Sequence, residues 1–347
     1  MVGQPVFVVG AARSGTTWVQ CLICAVEGFY SCPETHFFDE LLSRGPVCGG
    51  YQLHRPRYLS LPDRIQPDHL VEVLQKCERG FLEIDVKTAR SLAADADAGV
   101  LTPRILLTRI VEACSPAASR SGSRRWVEKT PIHASYLDRI FALFDDAQII
   151  CVLRRPEGVL SSAVRTFSEP VCIAARDYWL SYRDVQRFLN RHPDRRRDVL
   201  VVSYDDIRDG DAPLVALQKF LGCDAADPTV LRQEARRLFD ELYGKTPIRH
   251  IQRGMSIAAQ AADTGRQLSR AELNVLDVFA AVLRSRLPIT RRPGARNIAV
   301  KSFIKTVPAL TLDLFRGVAH ILIWRARYLW ELLLIVFSGG SRAVKRV

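Results

Sequence analysis

The feature that most constrains the fold is an apolar run that ends in glycine and leads into a glycine-containing loop. Residues 5–10 read PVFVVG, a short run rich in β-branched side chains, which is typical of a buried parallel strand. The loop from Gly10 to Thr17 follows, and the next residues predict a helix from about Gly15 to Glu27. Strand, glycine loop and helix in this order form the phosphate-binding unit of α/β proteins. The sequence therefore predicts an α/β fold with an anion-binding loop.

This loop has the glycine spacing of a nucleotide-binding P-loop but lacks its lysine. It reads GAARSGTT, with Thr16 where the lysine would follow Gly15, and Arg13 is its only basic residue. Backbone amides and the helix N-terminus still suit a phosphate, and Arg13 adds a bidentate cation. Ser14 is expected to cap the helix. Since no predicted strand ends in a magnesium-binding aspartate, the loop predicts phosphate binding without an obligatory metal.

The later sequence alternates between apolar strands and helical segments. Strands are predicted at 126–127, 147–153 and 198–204, and helices at 133–144, 156–166 and 213–221, the last closed by Gly222. Repeated β-α units predict a doubly wound parallel sheet flanked by helices. Ligands of such sheets bind at the carboxyl ends of the strands, which is where the glycine loop lies.

Four segments between Val6 and Gly222 follow one another in a recognisable order: GAARSGTTW, WVEKTPIH, AQIICVLRRPEGVLSSAVRTF, and VVSYDDI with the later QKFLG. They resemble the motifs of sulfotransferases that use 3′-phosphoadenosine-5′-phosphosulfate (PAPS), in particular bacterial members and the tyrosylprotein sulfotransferases. The resemblance implies a P-loop-like sulfotransferase fold. It also implies O-sulfation, the transfer of a sulfuryl group from PAPS to an acceptor hydroxyl, which leaves 3′,5′-bisphosphoadenosine and requires no metal.

The resemblance assigns the phosphates of PAPS to separate segments. The 5′-phosphosulfate is expected at Arg13, Ser14, Gly15, Thr16 and Thr17. The 3′-phosphate is expected at Arg154, which ends a predicted strand, and at Ser162, about two turns into the next helix. Tyr204 is a further cofactor candidate. The glycine-rich adenosine segment of the small-molecule enzymes is not recognisable here, and Arg266, in the stretch ADTGRQLSRAEL, is a weaker match to the family.

The catalytic cations are also implied by the resemblance. Sulfuryl transfer requires an aligned acceptor oxygen, cations for the developing charge and a base for the acceptor proton. Arg13 is expected near the bridging oxygen. Lys129 is expected at the sulfate, because tyrosylprotein sulfotransferases place a lysine there in a similar Lys-x-Pro setting. The alternative for Lys129 is an ion pair with the neighbouring Glu128.

Two residues compete for the role of base. Glu34 lies 21 residues after Arg13, and tyrosylprotein sulfotransferases carry their catalytic glutamate in a similar Glu-Thr pair at that distance. His36 is the alternative, as histidine is the base in other sulfotransferases, although the Lys-Thr-His pattern is missing here. A structural role, such as a helix cap, is the third option for Glu34. His133 is expected to open the next helix.

Net charge and residue composition limit the kinds of binding partner that are expected. The net charge of +12 favours an anionic partner, but the basic residues do not interleave with aromatic residues as in nucleic-acid modules, so no nucleic acid is expected. Nine dispersed cysteines read as reduced thiols, with Cys21 and Cys24 packed in the core. The first strand follows the start without a leader segment, which predicts a cytoplasmic protein.

The last fifty residues form a separate unit in sequence. Residues 1–295 are predicted to form the PAPS-binding domain, and residues 296–347 an amphipathic helical extension. Apolar residues dominate from Thr311 to Ser338, but charges at Arg325, Arg327 and Glu331 argue against a membrane span. The wide apolar face, two tryptophans and a basic end predict peripheral docking on the anionic inner face of a membrane. The alternative is packing against the enzyme core or in a homodimer.

The acceptor is left open by the sequence. The segment from Asp39 to Arg125 is expected to cover its site, and hydroxyls of glycans, glycolipids, tyrosyl peptides and small metabolites are all alternatives. Two other functions compete with sulfuryl transfer. A P-loop kinase or other NTPase would need the missing lysine and a magnesium carboxylate. A non-catalytic, membrane-associated scaffold with a nucleotide fold would explain the charge but not the placement of the donor-site residues.

Overall fold

A computed structural model describes residues 4–41, 86–98, 101–115, 125–167, 169–243, 268–286 and 312–319. These residues contain one five-stranded parallel sheet in the order β2-β3-β1-β4-β5. The strands are β1 (Val6–Gly10), β2 (Phe29–Ser31), β3 (Arg125–Lys129), β4 (Gln148–Leu153) and β5 (Val199–Ser203). Because β2 and β3 lie on one side of β1, and β4 and β5 on the other, the sheet is doubly wound, as predicted.

Helices connect the strands and cover both faces of the sheet. The bounds are α1 (Thr16–Cys24), α2 (Val86–Asp97), α3 (Pro103–Cys114), α4 (Leu137–Leu143), α5 (Pro156–Phe167), α6 (Val171–Arg191), α7 (Tyr204–Asp209), α8 (Ala212–Leu221), α9 (Pro228–Tyr243), α10 (Arg270–Arg286) and α11 (312–319). Shorter turns occur as 3₁₀-helices at Pro131–Ser135 and Pro193–Asp198 and as a π-helical turn at Phe37–Leu41.

The core has two layers because side chains alternate along a strand. In β1, Phe7 and Val9 join one buried cluster, and Val6 and Val8 join the other. All four side chains are fully buried, as expected for a central parallel strand. Cys21 is also buried in the second cluster, which confirms its predicted place in the core.

Local predictions succeeded where a segment is long and periodic. Strands β4 and β5 and helix α5 match their predicted positions, and Gly222 closes α8 with a left-handed φ of 71°. The helix predicted at 133–144 is wrong at its start. Residues Pro131–Ser135 form a 3₁₀ turn, and α4 begins only after Tyr136, whose φ of −118° is not helical.

The described part of the C-terminal extension contacts the enzyme domain. Asp313 in α11 accepts hydrogen bonds from the backbone N–H groups of Val171 (3.0 Å) and Cys172 (2.8 Å), in the first turn of α6. Helix α6 begins after Pro170 and has no side-chain cap of its own. One turn after Asp313, a Cβ on Gly317 would overlap the Cys172 sulfur, so the two helices approach closely. Asp313 therefore caps α6 from another part of the chain.

Replacing Asp313 is expected to destabilise the enzyme domain. The carboxylate satisfies two amides that a helix cannot satisfy internally, so Asp313→Ala should lower the free energy of unfolding by about 1–3 kcal/mol. Urea unfolding followed by circular dichroism measures the change, with the exposed Asp224→Ala as the matched control. An unfolding free energy equal to that of the control would show that the contact contributes nothing to stability.

The rest of the extension, including Trp324, Trp330 and the basic end, lies outside the described residues. Within the described ranges, none of the helices combines the length and apolar character that a membrane crossing requires. The division into residues 1–295 and 296–347 stays a prediction.

Candidate active site

The glycine loop follows β1 at the carboxyl edge of the sheet. Gly15 is the N-cap of α1, with a left-handed φ of 92°, and α1 has no side-chain cap. The prediction that Ser14 caps α1 is therefore wrong, because Gly15 occupies the cap position and Ser14 precedes it. The Ser14 side chain is instead fully buried, and its Oγ has no hydrogen-bond partner within the described residues. The start of α1 thus has uncapped amides beside an unused hydroxyl.

Both glycines of the loop allow close packing that a side chain would prevent. A Cβ on Gly10 would lie 2.6 Å from the backbone oxygen of Val152 in β4. A Cβ on Gly15 would overlap the ring of Tyr204, the first residue of α7. Tyr204 is only 6% exposed, and its ring packs against Gly15 of the loop. The sequence nominated Tyr204 for cofactor binding, and the structure places it against the loop.

Arg13 connects the glycine loop by hydrogen bonds to the segment that was predicted to bind the 3′-phosphate. Its Nε donates a hydrogen bond to Ser162 Oγ over 3.0 Å, and its backbone oxygen accepts one from Arg154 Nη1, also over 3.0 Å. Arg13 adopts a left-handed φ of 68°, which is uncommon outside glycine. Three nominated residues, separated by up to 149 positions in sequence, therefore meet at one point.

Arg154 and Ser14 each contain a buried polar atom that makes no hydrogen bond within the described residues. The Arg154 guanidinium lies 4.8 Å from the centroid of the Tyr204 ring. Its Nε is buried and has no hydrogen-bond partner in the described part of the chain, which is also true of Ser14 Oγ. Buried polar groups are rarely left unsatisfied unless a ligand or water completes them. Together with the uncapped start of α1, these two groups fit a phosphate-bearing ligand.

Lys129 and Glu34 form a buried ion pair beside this loop. Lys129 ends β3, where it lies opposite Val8 of β1, and its side chain is 1% exposed. Its Nζ lies 2.5 Å from Oε1 of Glu34, 95 residues away in sequence. Consecutive strand residues point to opposite faces, so the neighbouring Glu128 leaves β3 on the other side from Lys129. Glu128 instead accepts hydrogen bonds from the hydroxyls of Thr35 (2.7 Å) and Thr130 (2.6 Å).

The charges around Glu34 determine its ionisation. Burial raises the pKa of Glu34, but Lys129 and His36 outweigh that effect and lower the pKa to about 2. Oε2 of Glu34 lies 3.4 Å from His36 Nε2, while the other ring nitrogen, Nδ1, lies 2.9 Å from Asp39 Oδ2. Burial lowers the pKa of His36, but Asp39 and Glu34 raise it well above its usual value. Glu34 is therefore an anion and His36 a cation near neutral pH.

The structure adds residues that the sequence did not nominate. Asp39 contacts His36, His133 contacts Asp39, and Glu128 contacts His133. His133 is completely buried in the 3₁₀ turn instead of opening a helix. No sequence pattern predicted that these residues are in contact, since Asp39 and His133 are distant along the chain. Thr16 is buried and Thr17 partly exposed at the start of α1. Arg266 lies outside the described residues.

Side chains that bind metals do not cluster in a suitable way in the ranges described. No group of three or more His, Cys, Asp or Glu residues there could hold a metal ion.

Comparison with known proteins gives the family directly. A model of the sulfotransferase family matches residues 5–227, which is well over half of the chain and includes every described strand. No curated protein sequence matches the chain significantly.

Solved structures of similar proteins have low TM-scores. The sulfotransferase domain of the Synechococcus PCC 7002 olefin synthase is 20% identical, with a TM-score of 0.47, and the match covers 89% of this chain and 94% of that one. A sulfotransferase from Alicyclobacillus acidocaldarius is 19% identical (TM-score 0.36; 70% and 94% covered). A mouse sulfotransferase complexed with PAP is 13% identical (TM-score 0.37; 83% and 87% covered).

The family assignment rests on the match over residues 5–227, since each of these TM-scores is below 0.5. The family indicates a transferase of sulfuryl groups, and the strand order and lysine-free glycine loop are consistent with it. This chain belongs to the sulfotransferase family.

Proposed function

We propose that this protein is a PAPS-dependent O-sulfotransferase. The observation that carries the proposal is the contact of Arg13 with both Ser162 and Arg154, which brings the two predicted phosphate-binding segments together. A donor with phosphates at both its 5′ and 3′ positions needs two such segments side by side. A nucleotide with a single polyphosphate chain would use the loop alone.

The donor-binding residues follow from this arrangement. The uncapped amides from Gly15 to Thr17, the Ser14 hydroxyl and the Arg13 guanidinium would hold the 5′-phosphosulfate. Arg154 and Ser162 would hold the 3′-phosphate, with Tyr204 fixing the position of Arg154. When bound, PAPS supplies the activated sulfuryl group.

Glu34 and Lys129 divide the chemistry between them. Glu34 is ionised and is proposed to take the proton of the acceptor hydroxyl, while Lys129 is proposed to stabilise charge on the sulfate. With a pKa of about 2 in its ion pair, Glu34 is a weak base. If Lys129 exchanges Glu34 for the sulfate, the carboxylate loses its strongest cationic partner and its pKa rises. Glu34 would therefore become an effective base only after donor binding.

Nucleotide binding tests this proposal against the kinase or NTPase alternative. Calorimetry should detect binding of 3′,5′-bisphosphoadenosine in the presence of EDTA, and ATP with magnesium should compete poorly. Tight, magnesium-dependent binding of ATP would favour the NTPase. Binding of neither nucleotide would favour the non-catalytic scaffold.

We also propose that the extension, residues 296–347, docks the enzyme on an anionic membrane face, which would make it a cytoplasmic, peripheral protein. The observation that favours this is α11, whose Asp313 and Gly317 face α6 while four apolar residues are about half exposed or more: Leu312, Leu314, Phe315 and Val318. The apolar face and the basic residues that end the chain suit an anionic bilayer. Such docking would favour a lipid-linked acceptor hydroxyl.

Charging this apolar face should weaken membrane binding. Burial of two large apolar side chains is worth a few kcal/mol, so Leu314→Glu with Phe315→Glu should lower the partition into anionic liposomes by at least tenfold, as an order-of-magnitude expectation. Flotation measures the partition, and the matched control is Val215→Glu with Val230→Glu, two exposed valines on α8 and α9. Equal flotation of both variants would reject membrane docking by α11. A change in sedimentation instead would indicate a homodimer contact.

A further inference from the structure

Six charged side chains form one continuous chain from the candidate active site into the protein. In order they are Lys129, Glu34, His36, Asp39, His133 and Glu128, and we call them the ion chain. Successive contacts measure 2.5, 3.4, 2.9, 3.3 and 2.9 Å. Basic and acidic groups alternate throughout. Each histidine therefore lies between two carboxylates, and His133 Nε2 also accepts a hydrogen bond from the backbone N–H of Phe38 over 3.3 Å.

The ion chain has an open part and a closed end. The side chains of Glu34, His36 and Asp39 are 12–15% exposed, whereas His133 and Glu128 are fully buried. At the closed end, Glu128 accepts hydrogen bonds from the hydroxyls of Thr35 and Thr130 as well as from His133. Its carboxylate oxygens are thus well satisfied. The ion chain therefore has its fully buried end at Glu128 and its partly exposed part at the candidate active site.

The alternation of acidic and basic side chains lowers the cost of burying the ion chain, and it makes the charge of each residue depend on its neighbours. A buried charge is costly unless a partner compensates it, and removing one partner leaves the other uncompensated. If Asp39 were neutral, both His36 and His133 would lose a carboxylate. Conversely, His133 separates Asp39 from Glu128, two carboxylates that would otherwise repel each other.

The backbone of His36 also needs support. Its φ of 48° is left-handed, a conformation that costs energy for a residue with a side chain. Contacts of both the backbone and the ring hold it: the backbone N–H donates to Thr130 Oγ1 over 3.3 Å, and the ring contacts Asp39 and Glu34. The segment after β2 is thus fixed to the end of β3.

We propose that Asp39, His133 and Glu128 are positioning residues that hold His36 as an imidazolium against Glu34. This rests on the proposed role of Glu34 as the base. With both ring nitrogens facing carboxylates, His36 carries two protons and does not act as a base. It donates to Oε2 of Glu34, so that Oε1, on the side of Lys129, is the oxygen that accepts the acceptor's proton.

The ionisation of His36 agrees with this geometry. Burial lowers the pKa of His133, but Glu128 and Asp39 raise it to about 9. The pKa of His36 is raised by Asp39 and Glu34 against the effect of burial. The charged groups that contact His36 are Glu34 and Asp39 of its own segment. Lys129 of β3 contacts Glu34, and His133 of the turn after β3 contacts Asp39. Because the pKa of His36 is raised, its imidazolium form is favoured at neutral pH and is lost as pH rises through the raised value.

A histidine titration of the whole protein tests the inference without an activity assay. In NMR spectra of protein labelled at histidine, assigned with His36→Gln, His36 should remain doubly protonated at pH 7.5. Asp39→Asn should lower its midpoint by about one unit or more, the usual effect of removing an adjacent opposite charge. Asp138→Asn is the matched control, because Asp138 contacts the exposed His192 over 3.0 Å in a separate Asp–His pair. It should leave the His36 midpoint unchanged.

The outcomes separate the inference from the proposed function. A neutral His36 at pH 7.5 in the unmodified protein overturns the inference, and this result needs no variant of Asp39 to fold. An unchanged midpoint in folded Asp39→Asn overturns it as well. If the midpoint falls, the pH limit above which transfer of labelled sulfate is lost should fall with it. The activity of Glu34→Gln tests the base independently of these results.

Discussion

Replacing Glu34 by glutamine is expected to lower the turnover of sulfuryl transfer by about 100-fold or more, while the affinity for 3′,5′-bisphosphoadenosine changes by only a few-fold. Glutamine keeps the size of the side chain, and its amide oxygen still accepts a hydrogen bond from Lys129. It does not take the proton of the acceptor hydroxyl. An interaction required mainly in the transition state lowers turnover without weakening donor binding. Lys129→Ala should have an effect of the same order, because it removes the cation proposed for the sulfate.

Label transfer from PAPS at saturating donor measures this change. Glu112→Gln is the matched control, because Glu112 pairs with Arg109 on the surface of α3. If Glu34→Gln kept near-normal turnover while His36→Ala lost it, His36 would be the base and the assignment made here would be wrong.

Replacing Arg154 by alanine is expected to weaken the binding of 3′,5′-bisphosphoadenosine by roughly 10- to 150-fold. A charged hydrogen bond to a phosphate is worth about 1.5–3 kcal/mol, and each 1.4 kcal/mol is a factor of about ten. The substitution also removes the Nη1 contact that holds the backbone oxygen of Arg13, so the loop loses support at the same time.

Calorimetry in EDTA measures this affinity, and circular dichroism checks the fold. Arg155→Ala provides the matched control one residue along, because Arg155 is exposed and pairs with Asp205 over 3.2 Å. An unchanged affinity in Arg154→Ala, or an equal loss in both variants, would contradict the assignment of the 3′-phosphate to Arg154.

The sequence predicted the parts of the fold that depend on local pattern. Strand β1, the glycine loop and α1 are adjacent in sequence, and the apolar strands β4 and β5 are long enough to recognise. Strand β2 was missed because Phe29–Ser31 contains only three residues and becomes a strand by pairing with β3. The start of the helix predicted at 133–144 failed because the sequence does not show the backbone break at Tyr136.

The candidate site was predicted residue by residue but not as an arrangement. Motifs predicted the individual site residues Arg13, Glu34, Lys129 and Arg154. The motifs did not predict that Lys129 pairs with Glu34, and the only partner considered for Lys129 was the neighbouring Glu128. The correct pairing depends on the sheet order, which brings the end of β3 beside the segment after β2. For the same reason, no local pattern could have joined Asp39 to His133.

Transfer of ³⁵S-labelled sulfate from PAPS into an extract of the source organism, with EDTA present, tests most directly whether this protein is a PAPS-dependent O-sulfotransferase. We expect the protein to label an acceptor hydroxyl, and we expect Glu34→Gln and Lys129→Ala to reduce the labelling strongly while both still bind 3′,5′-bisphosphoadenosine. Labelling that is equal for the protein and both variants, or absent from a protein that binds the nucleotide tightly, would contradict it.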